Sequence, residues 1–120
     1  MVKALTWLAN RTKEAKDFME SWDATIQFEI GDRERFFVQV KDGKIAFFDG
    51  KSENPDVTIK SDPEYFTKIL LGEMDPQEAY TFHRYEVSGS IVDGTKFKRL
   101  GEIVANSHKK ALSLVRFFLR

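Results

Sequence analysis

The stretch that decides the fold spans residues 26–48 and reads IQFEIGDRERFFVQVKDGKIAFF. Apolar and polar residues alternate along it with a period of two, as they do in strands that bury one face. The dipeptide Asp42-Gly43 separates two of these runs, and both residues tolerate the positive φ that a type I′ hairpin turn requires. The stretch therefore predicts three antiparallel strands, with Phe28 facing the core and Gln27 facing the other way.

Two further strands are predicted beyond this stretch. Residues 57–59 continue the alternation, and we expect them to complete an antiparallel meander with the first three strands. Residues 84–90 predict the fifth strand, in which Gly89 marks either a weak point or the close approach of another backbone.

Helical spacing dominates the remaining segments. Residues 5–22 and 97–118 carry apolar side chains at steps of three and four. The second stretch fits either one long helix or two stacked helices, with a break expected at residues 106–107. Ser61 and Glu64 have the spacing of a capping box and predict the start of a central helix. Together these patterns predict one α+β domain over residues 1–120. Its five-stranded, mostly antiparallel sheet would have helices packed on one face.

The charge balance and the absence of cysteine exclude several classes of function. The chain has 19 basic and 19 acidic side chains, which argues against a nucleic-acid-binding surface. It has no cysteine, so disulfides, thiolate metal sites and cysteine nucleophiles are excluded. No apolar run approaches the roughly 20 residues that cross a bilayer, and we expect a cytoplasmic protein.

Candidate catalytic groups are sparse. His83 and His108 are the only histidines, and their separation is not that of metal ligands on one helix. Carboxylates are plentiful, but no pattern places two of them in a shared apolar cleft. We therefore predict a protein that is not an enzyme and that uses no cofactor or metal.

Phenylalanine is unusually frequent, with 11 residues in a chain of 120. Phenylalanine contributes a large apolar area and has no polar group. The set therefore fills an aromatic core or lines an apolar cavity, and composition leaves both readings open.

The central part of the chain resembles the sterol carrier protein-2 (SCP-2) domain family. The resemblance is carried by NPDVTI at residues 54–59, DPEYF at 62–66, ILLGEMDPQEAY at 69–80 and YEVSG at 85–89. The order and spacing of these motifs match the family over roughly residues 26–104.

The resemblance implies helices behind a five-stranded sheet, with a hydrophobic tunnel for fatty acyl chains, sterols or similar lipids between them. We therefore predict non-catalytic binding or transfer of a lipid or another hydrophobic small molecule. The predicted lining consists of apolar side chains on the central and final helices: Phe66, Ile69, Leu70, Phe82, Phe97, Leu100 and Val104.

Two features depart from the family pattern. Residues 82–85 read FHRY where a glycine-containing stretch is usual, which predicts a narrower tunnel. The C-terminal helix is also apolar over more than one face, from Ala111 to Leu119. The alternative function is therefore an interaction module with a filled core, which forms a homodimer or contacts a membrane surface through this helix.

Overall fold

The computed structural model describes residues 2–70, 73–75, 77–78 and 85–108. The helices are α1 (Val2–Ala9), α2 (Lys13–Met19), α3 (Pro63–Leu70) and α4 (Ile91–Ser107). The strands are β1 (Ala24–Ile30), β2 (Glu34–Lys41), β3 (Lys44–Asp49), β4 (Val57–Ser61) and β5 (Tyr85–Gly89). The predicted α+β architecture is confirmed, and α4 ends at the predicted break.

The five strands form one mixed sheet in the order β3-β2-β1-β4-β5. Three of the neighbouring pairs are antiparallel, and β1 pairs with β4 in parallel. The prediction that β4 completes an antiparallel meander is therefore wrong. The chain leaves β3 at one edge and crosses β2 and β1 before it enters β4, so that β4 runs in the direction of β1.

The crossing loop is held against the sheet by Gln27 of β1. Its Nε2 donates to the carbonyls of Phe36 and Gly50, both at 3.1 Å, and its Oε1 accepts from the Ser52 N–H at 2.7 Å. Gln27 does face away from the core, as predicted, but it is only 1% exposed because the loop covers it. A crossing polar loop thus buries a polar side chain without leaving it unpaired.

The turn between β2 and β3 has the predicted geometry. Asp42 and Gly43 have φ values of 54° and 74°, and Lys41 pairs with Lys44 across them. These are the two positive φ angles of a type I′ turn, so the register of this hairpin follows directly from the dipeptide.

The N-terminal segment forms two helices where one was predicted. The amide of Asn10 donates to the carbonyl of Ile45 at 2.7 Å and accepts from the Ile45 N–H at 2.8 Å. This pairing ties residue 10 to the edge strand β3, and the helix ends at Ala9. The next helix starts at Lys13, and Trp22, predicted to lie on the same helix, follows α2.

The start of α3 also differs from the prediction. The Glu64 N–H donates to Oδ1 of Asp62 at 3.1 Å, while the hydroxyl of Ser61 donates to the carbonyl of Asp62 at 2.9 Å. Asp62 is therefore the capping residue, because Ser61 is still part of β4 and is paired with Tyr85.

The core lies between the sheet and the helices and is centred on Phe28, which is fully buried. Its ring stacks on Phe36 at 5.0 Å and meets the rings of Phe66 and Phe97 edge to face, at 5.5 and 5.1 Å. One residue of β1 thereby joins β2, α3 and α4, in the edge-to-face and stacked geometries that aromatic rings prefer.

Both ends of α4 are attached to the N-terminal region. At its start the indole N–H of Trp22 donates to Oδ1 of Asp93 at 2.9 Å. At its end Nε2 of His108 lies 2.6 Å from the Thr12 hydroxyl, which itself donates to a backbone carbonyl. These two contacts fix the position of α4 over the sheet.

Candidate functional site

A cavity of about 940 Å³ lies between α3, α4 and the strands β4 and β5. Its volume is at the upper end of the range of roughly 300–1,000 Å³ in which small-molecule sites fall. The cavity adjoins the Phe28 cluster, since Phe66 and Phe97 belong to both.

The sheet contributes Ile59, Tyr85 and Val87 to the cavity wall. Ile59 of β4 is paired with Val87 of β5, so the two side chains lie next to each other on the helix-covered face. The strand pair comes together closely because Gly89 has no side chain. A Cβ at that position would lie 2.5 Å from the carbonyl oxygen of Asp56. The close approach predicted from Gly89 is therefore confirmed.

Helix α3 contributes Phe66, Ile69 and Leu70. Phe66 is buried, whereas Ile69 and Leu70 are partly buried. Their spacing of three and four residues places them on one face of the helix, and that face is turned to the cavity. Met74, beyond the helix, also lines the cavity.

Helix α4 faces the cavity with small residues at three positions, Gly94, Gly101 and Ala105. A Cβ at Gly94 would lie 3.4 Å from Cγ1 of Val87, so the helix is within van der Waals reach of β5 at this residue. Gly101 is different, because a Cβ there would meet no atom of a described residue within 4 Å. The helix is thus close to the sheet at its first turn and leaves space two turns later.

The predicted lining residues fall into three groups. Phe66, Ile69, Leu70 and Phe97 line the cavity. Leu100 and Val104 are fully buried in the core, where they form the large apolar face of α4. Phe82 lies outside the described residues, as does the apolar C-terminal segment on which the interaction-module alternative depends.

Sequence reasoning missed several residues of the wall, among them Tyr85, Gly94 and Gly101. It favoured the large apolar side chains of α4, of which Leu100 and Val104 pack into the core and Phe97 lines the cavity. The available signal was Gly101 inside the predicted helical stretch, since glycine in a helix interior lowers stability and usually has a packing reason.

Charged residues border the cavity. Glu73, Asp75 and Glu102 contribute carboxylates, and Lys98 contributes an ammonium group 4.0 Å from Oε1 of Glu102. All four are exposed. Inside the cavity, burial raises the pKa of the Tyr85 phenol to about 12, so that group is neutral at physiological pH.

Within the described residues, no three side chains of the metal-ligating types are close enough together to hold a metal ion. In that same part of the chain, no helix has the length and hydrophobicity needed to cross a membrane.

A five-stranded mixed sheet, covered on one face by helices that border a partly open apolar cavity, defines the class of small α+β domains to which this chain belongs. Within that class, the chain belongs to the SCP-2 sterol transfer family, whose model matches residues 4–102. The resemblance noted from the sequence motifs is thereby confirmed, and family membership indicates binding or transfer of lipid.

Solved structures share this fold at low sequence identity. The sterol carrier protein domain 2 of Helicoverpa armigera is 21% identical with a TM-score of 0.71, over 87% of this chain and 84% of that one. The ubiquinone synthesis protein UbiJ-SCP2 is 15% identical with a TM-score of 0.69, over 86% and 87%.

A third likeness is to part of an enzyme, the sec-alkylsulfatase Pisa1 from Pseudomonas sp.. It covers 73% of this chain at 18% identity with a TM-score of 0.63, but this chain spans only 14% of the length of the sulfatase. At these identities each likeness establishes the fold alone.

Proposed function

We propose that this domain binds one hydrophobic small molecule, such as an acyl chain or a sterol-like lipid, and carries it without chemical change. The observation that supports the proposal most directly is the cavity of about 940 Å³ at Gly101. A concavity of this volume that is partly open to solvent, and whose wall has more apolar than polar surface, has the usual form of a small-molecule site.

Apolar side chains in the cavity wall would provide most of the binding free energy for such a ligand. Ile69, Leu70, Val87 and Met74 present aliphatic or thioether surface, and Phe66 adds an aromatic ring. Each buried methylene of a ligand contributes about 0.8 kcal/mol, which corresponds to up to fourfold in affinity. Such a site selects by length and shape, because most of its contacts are non-directional.

The family relationship and the neighbouring structures agree with this role. The family is described as one of sterol transfer, and one structural neighbour is named as a sterol carrier protein domain. Another is named as a ubiquinone synthesis protein. These names belong to the relatives, and they support a hydrophobic ligand for this chain without specifying one.

The test is uptake of linear alcohols and linear fatty acids of increasing length, followed by native mass spectrometry and titration. We expect one-to-one complexes, with affinity that rises up to about fourfold per methylene until the cavity is filled. A protein that takes up neither series at any length, and no sterol added in the same assay, would refute the proposed function.

Gly101 provides a matched pair of variants for this test. Because a Cβ at this position meets no atom of the described residues, Gly101→Phe should direct its ring into the cavity and lower affinity at least tenfold. Gly101→Ala adds one methyl group and should bind nearly as the unsubstituted protein does. If both variants bind equally well, the ligand does not occupy this cavity.

A further inference from the structure

An exposed apolar patch lies beside the cavity, where β5 leads into α4. Ile91 and Val92, the first two residues of α4, are 76% and 64% exposed, and Val87 of β5 is 37% exposed. They are three of the five large apolar side chains that are exposed in the described part of the chain, so exposure is concentrated here. Val87 and Ile91 also line the cavity, and the patch therefore continues the cavity wall onto the surface.

Hydrogen bonds fix the backbone on which this patch stands. The Ser90 hydroxyl accepts from the Asp93 N–H at 3.1 Å and caps α4, while the Ser90 N–H donates to the carbonyl of Asp56 at 2.8 Å. Ile91 and Val92 lie between Ser90 and Asp93, and neither belongs to the buried core. Their β-branched side chains also have a lower helix propensity than alanine. These two residues therefore stabilise neither the core nor the helix, and a rigid backbone presents their apolar surface to the outside.

The small size of the patch argues against a protein partner. A stable protein–protein interface buries about 800 Å² on each partner and usually has aromatic or arginine side chains at its centre. Three aliphatic side chains do not form such an interface. Contact with a bilayer has no such minimum, because its strength rises with the apolar area that enters the boundary between headgroups and acyl chains. The patch therefore suits a weak, reversible contact with a bilayer.

Charges on α4 are compatible with that contact. Lys98 and Arg99 follow the two exposed aliphatic residues by seven positions each, so they lie on the same sides of the helix, about 10 Å further along its axis. They share the carboxylate of Glu102, at 4.0 and 3.2 Å. Glu73 and Asp75 add two carboxylates to the cavity wall. Cations and carboxylates therefore nearly balance, and apolar contact has to provide most of the binding.

On the basis of the proposed binding function, we propose that Val87, Ile91 and Val92 form the surface with which this domain touches a lipid bilayer when it takes up or releases its ligand. Ile91 and Val92 enter the boundary between headgroups and acyl chains. The ligand passes along Ile91 and Val87 into the cavity, and its hydrocarbon part is not exposed to water on the way, which would be unfavourable.

The experiment measures sedimentation of the empty protein with phosphatidylcholine vesicles. We expect the unsubstituted protein to sediment with the vesicles, with little change between low and high salt because the contact is mainly apolar. The double variant Ile91→Gln/Val92→Gln should lower the partition coefficient at least about tenfold, since two exposed aliphatic side chains are lost. Equal sedimentation of the two proteins would overturn the inference.

Val92 separates membrane contact from ligand binding, because it is exposed but is not part of the cavity wall. A fluorescent fatty acid and a fluorescent sterol serve as probes. We expect Val92→Gln to bind them in solution as tightly as the unsubstituted protein does, and to take them up from phosphatidylcholine vesicles at least about threefold more slowly. Uptake from vesicles at an unchanged rate would contradict the proposed surface.

Phe48→Gln is the matched control, because Phe48 is also an exposed apolar side chain but lies on β3, at the other end of the strand order from β5. It should sediment with vesicles as the unsubstituted protein does. Trp7→Gln tests the exposed indole of α1. Loss of sedimentation in Trp7→Gln alone would move the membrane contact to α1 and overturn the inference. So would light scattering that shows a dimer converted to a monomer by Val92→Gln, since the patch would then join two copies of the chain.

The two proposals fail in different ways. A protein that binds the probes in solution but does not sediment with vesicles supports the proposed function and refutes only the membrane contact. A protein that sediments through this patch but binds no probe refutes the proposed function, and with it the role of the patch in ligand transfer.

Discussion

Gly89 shows how one residue allows two strands to meet. It has φ of +97°, in the region that side chains rarely adopt, and a Cβ would lie 2.5 Å from the Asp56 carbonyl oxygen. Its neighbour Ser90 donates its N–H to that same carbonyl at 2.8 Å. Backbone conformation and close contact therefore both require glycine here.

We expect Gly89→Ala to lower the free energy of unfolding by at least about 2 kcal/mol, because backbone strain and a backbone clash act together. Urea denaturation measures the change. Gly50→Ala is the control, since Gly50 has the same φ of +97° but nothing within 4 Å of its Cβ position. An equal loss in both variants would show that the contact with Asp56 has no energetic importance.

Gln27 is the second residue whose role depends on its surroundings. We expect Gln27→Ala to cost about 2–4 kcal/mol, because it leaves the Ser52 N–H without its acceptor and opens space beneath the crossing loop. Hydrogen exchange should show faster exchange at Ser52. The exposed Gln39 of β2 provides the control, and Gln39→Ala should change stability by less than about 0.5 kcal/mol. Unchanged exchange at Ser52 would contradict this account of the loop.

At the scale of elements, α4 has one face that packs into the core and another that borders the cavity. Leu100, Ile103 and Val104 are buried and attach the helix to the core. Gly94 and Gly101 lie on the cavity side, where a larger side chain would obstruct the approach to β5 or occupy the space. The helix therefore accepts two glycines that reduce its intrinsic stability.

This trade-off predicts that Gly101→Ala stabilises the protein by up to about 1 kcal/mol, since alanine has the higher helix propensity and its Cβ meets no neighbour. The thermal midpoint should rise by a few degrees. Gly94→Ala is the comparison, because its Cβ would be in van der Waals contact with Val87 at 3.4 Å. A Gly101→Ala variant less stable than the unsubstituted protein would show that the space around residue 101 is smaller than described.

At the scale of the whole molecule, the buried phenol of Tyr85 links stability to alkaline pH. Its pKa is about 12 in the folded protein and about 10 when unfolded. Below pH 10 both states hold the proton, so the residue adds no pH dependence. As pH rises from 10 to 12 the unfolded state loses its proton first, and stability falls.

We expect this residue to reduce the free energy of unfolding by about 2 kcal/mol between pH 9 and pH 12. Tyr85→Phe has no such group, so its stability should fall less over the same interval. Urea denaturation at several pH values measures both proteins, and Tyr65→Phe serves as the control. Parallel curves for the unsubstituted protein and Tyr85→Phe would show that the phenol is not buried in the folded state.

The sequence alone predicted those features that depend on residues close to one another in the chain. The Asp42-Gly43 turn follows from the φ angles that these two residues tolerate, and the alternation in residues 26–48 assigns Phe28 to the core. The motif series in residues 54–89 was sufficient to indicate the family. Each of these signals lies within a few residues of the feature it determines.

Only the tertiary structure decided the parallel pairing of β4 with β1, the end of the first helix at Ala9 and the make-up of the cavity wall. The physical reason is the same in all three. The deciding contacts join residues far apart in sequence, such as Asn10 with Ile45 and Gln27 with Ser52. Apolar spacing along a helix identifies its buried side chains, but it does not separate those that fill a core from those that border a space. For α4 that distinction depends on where β5 lies.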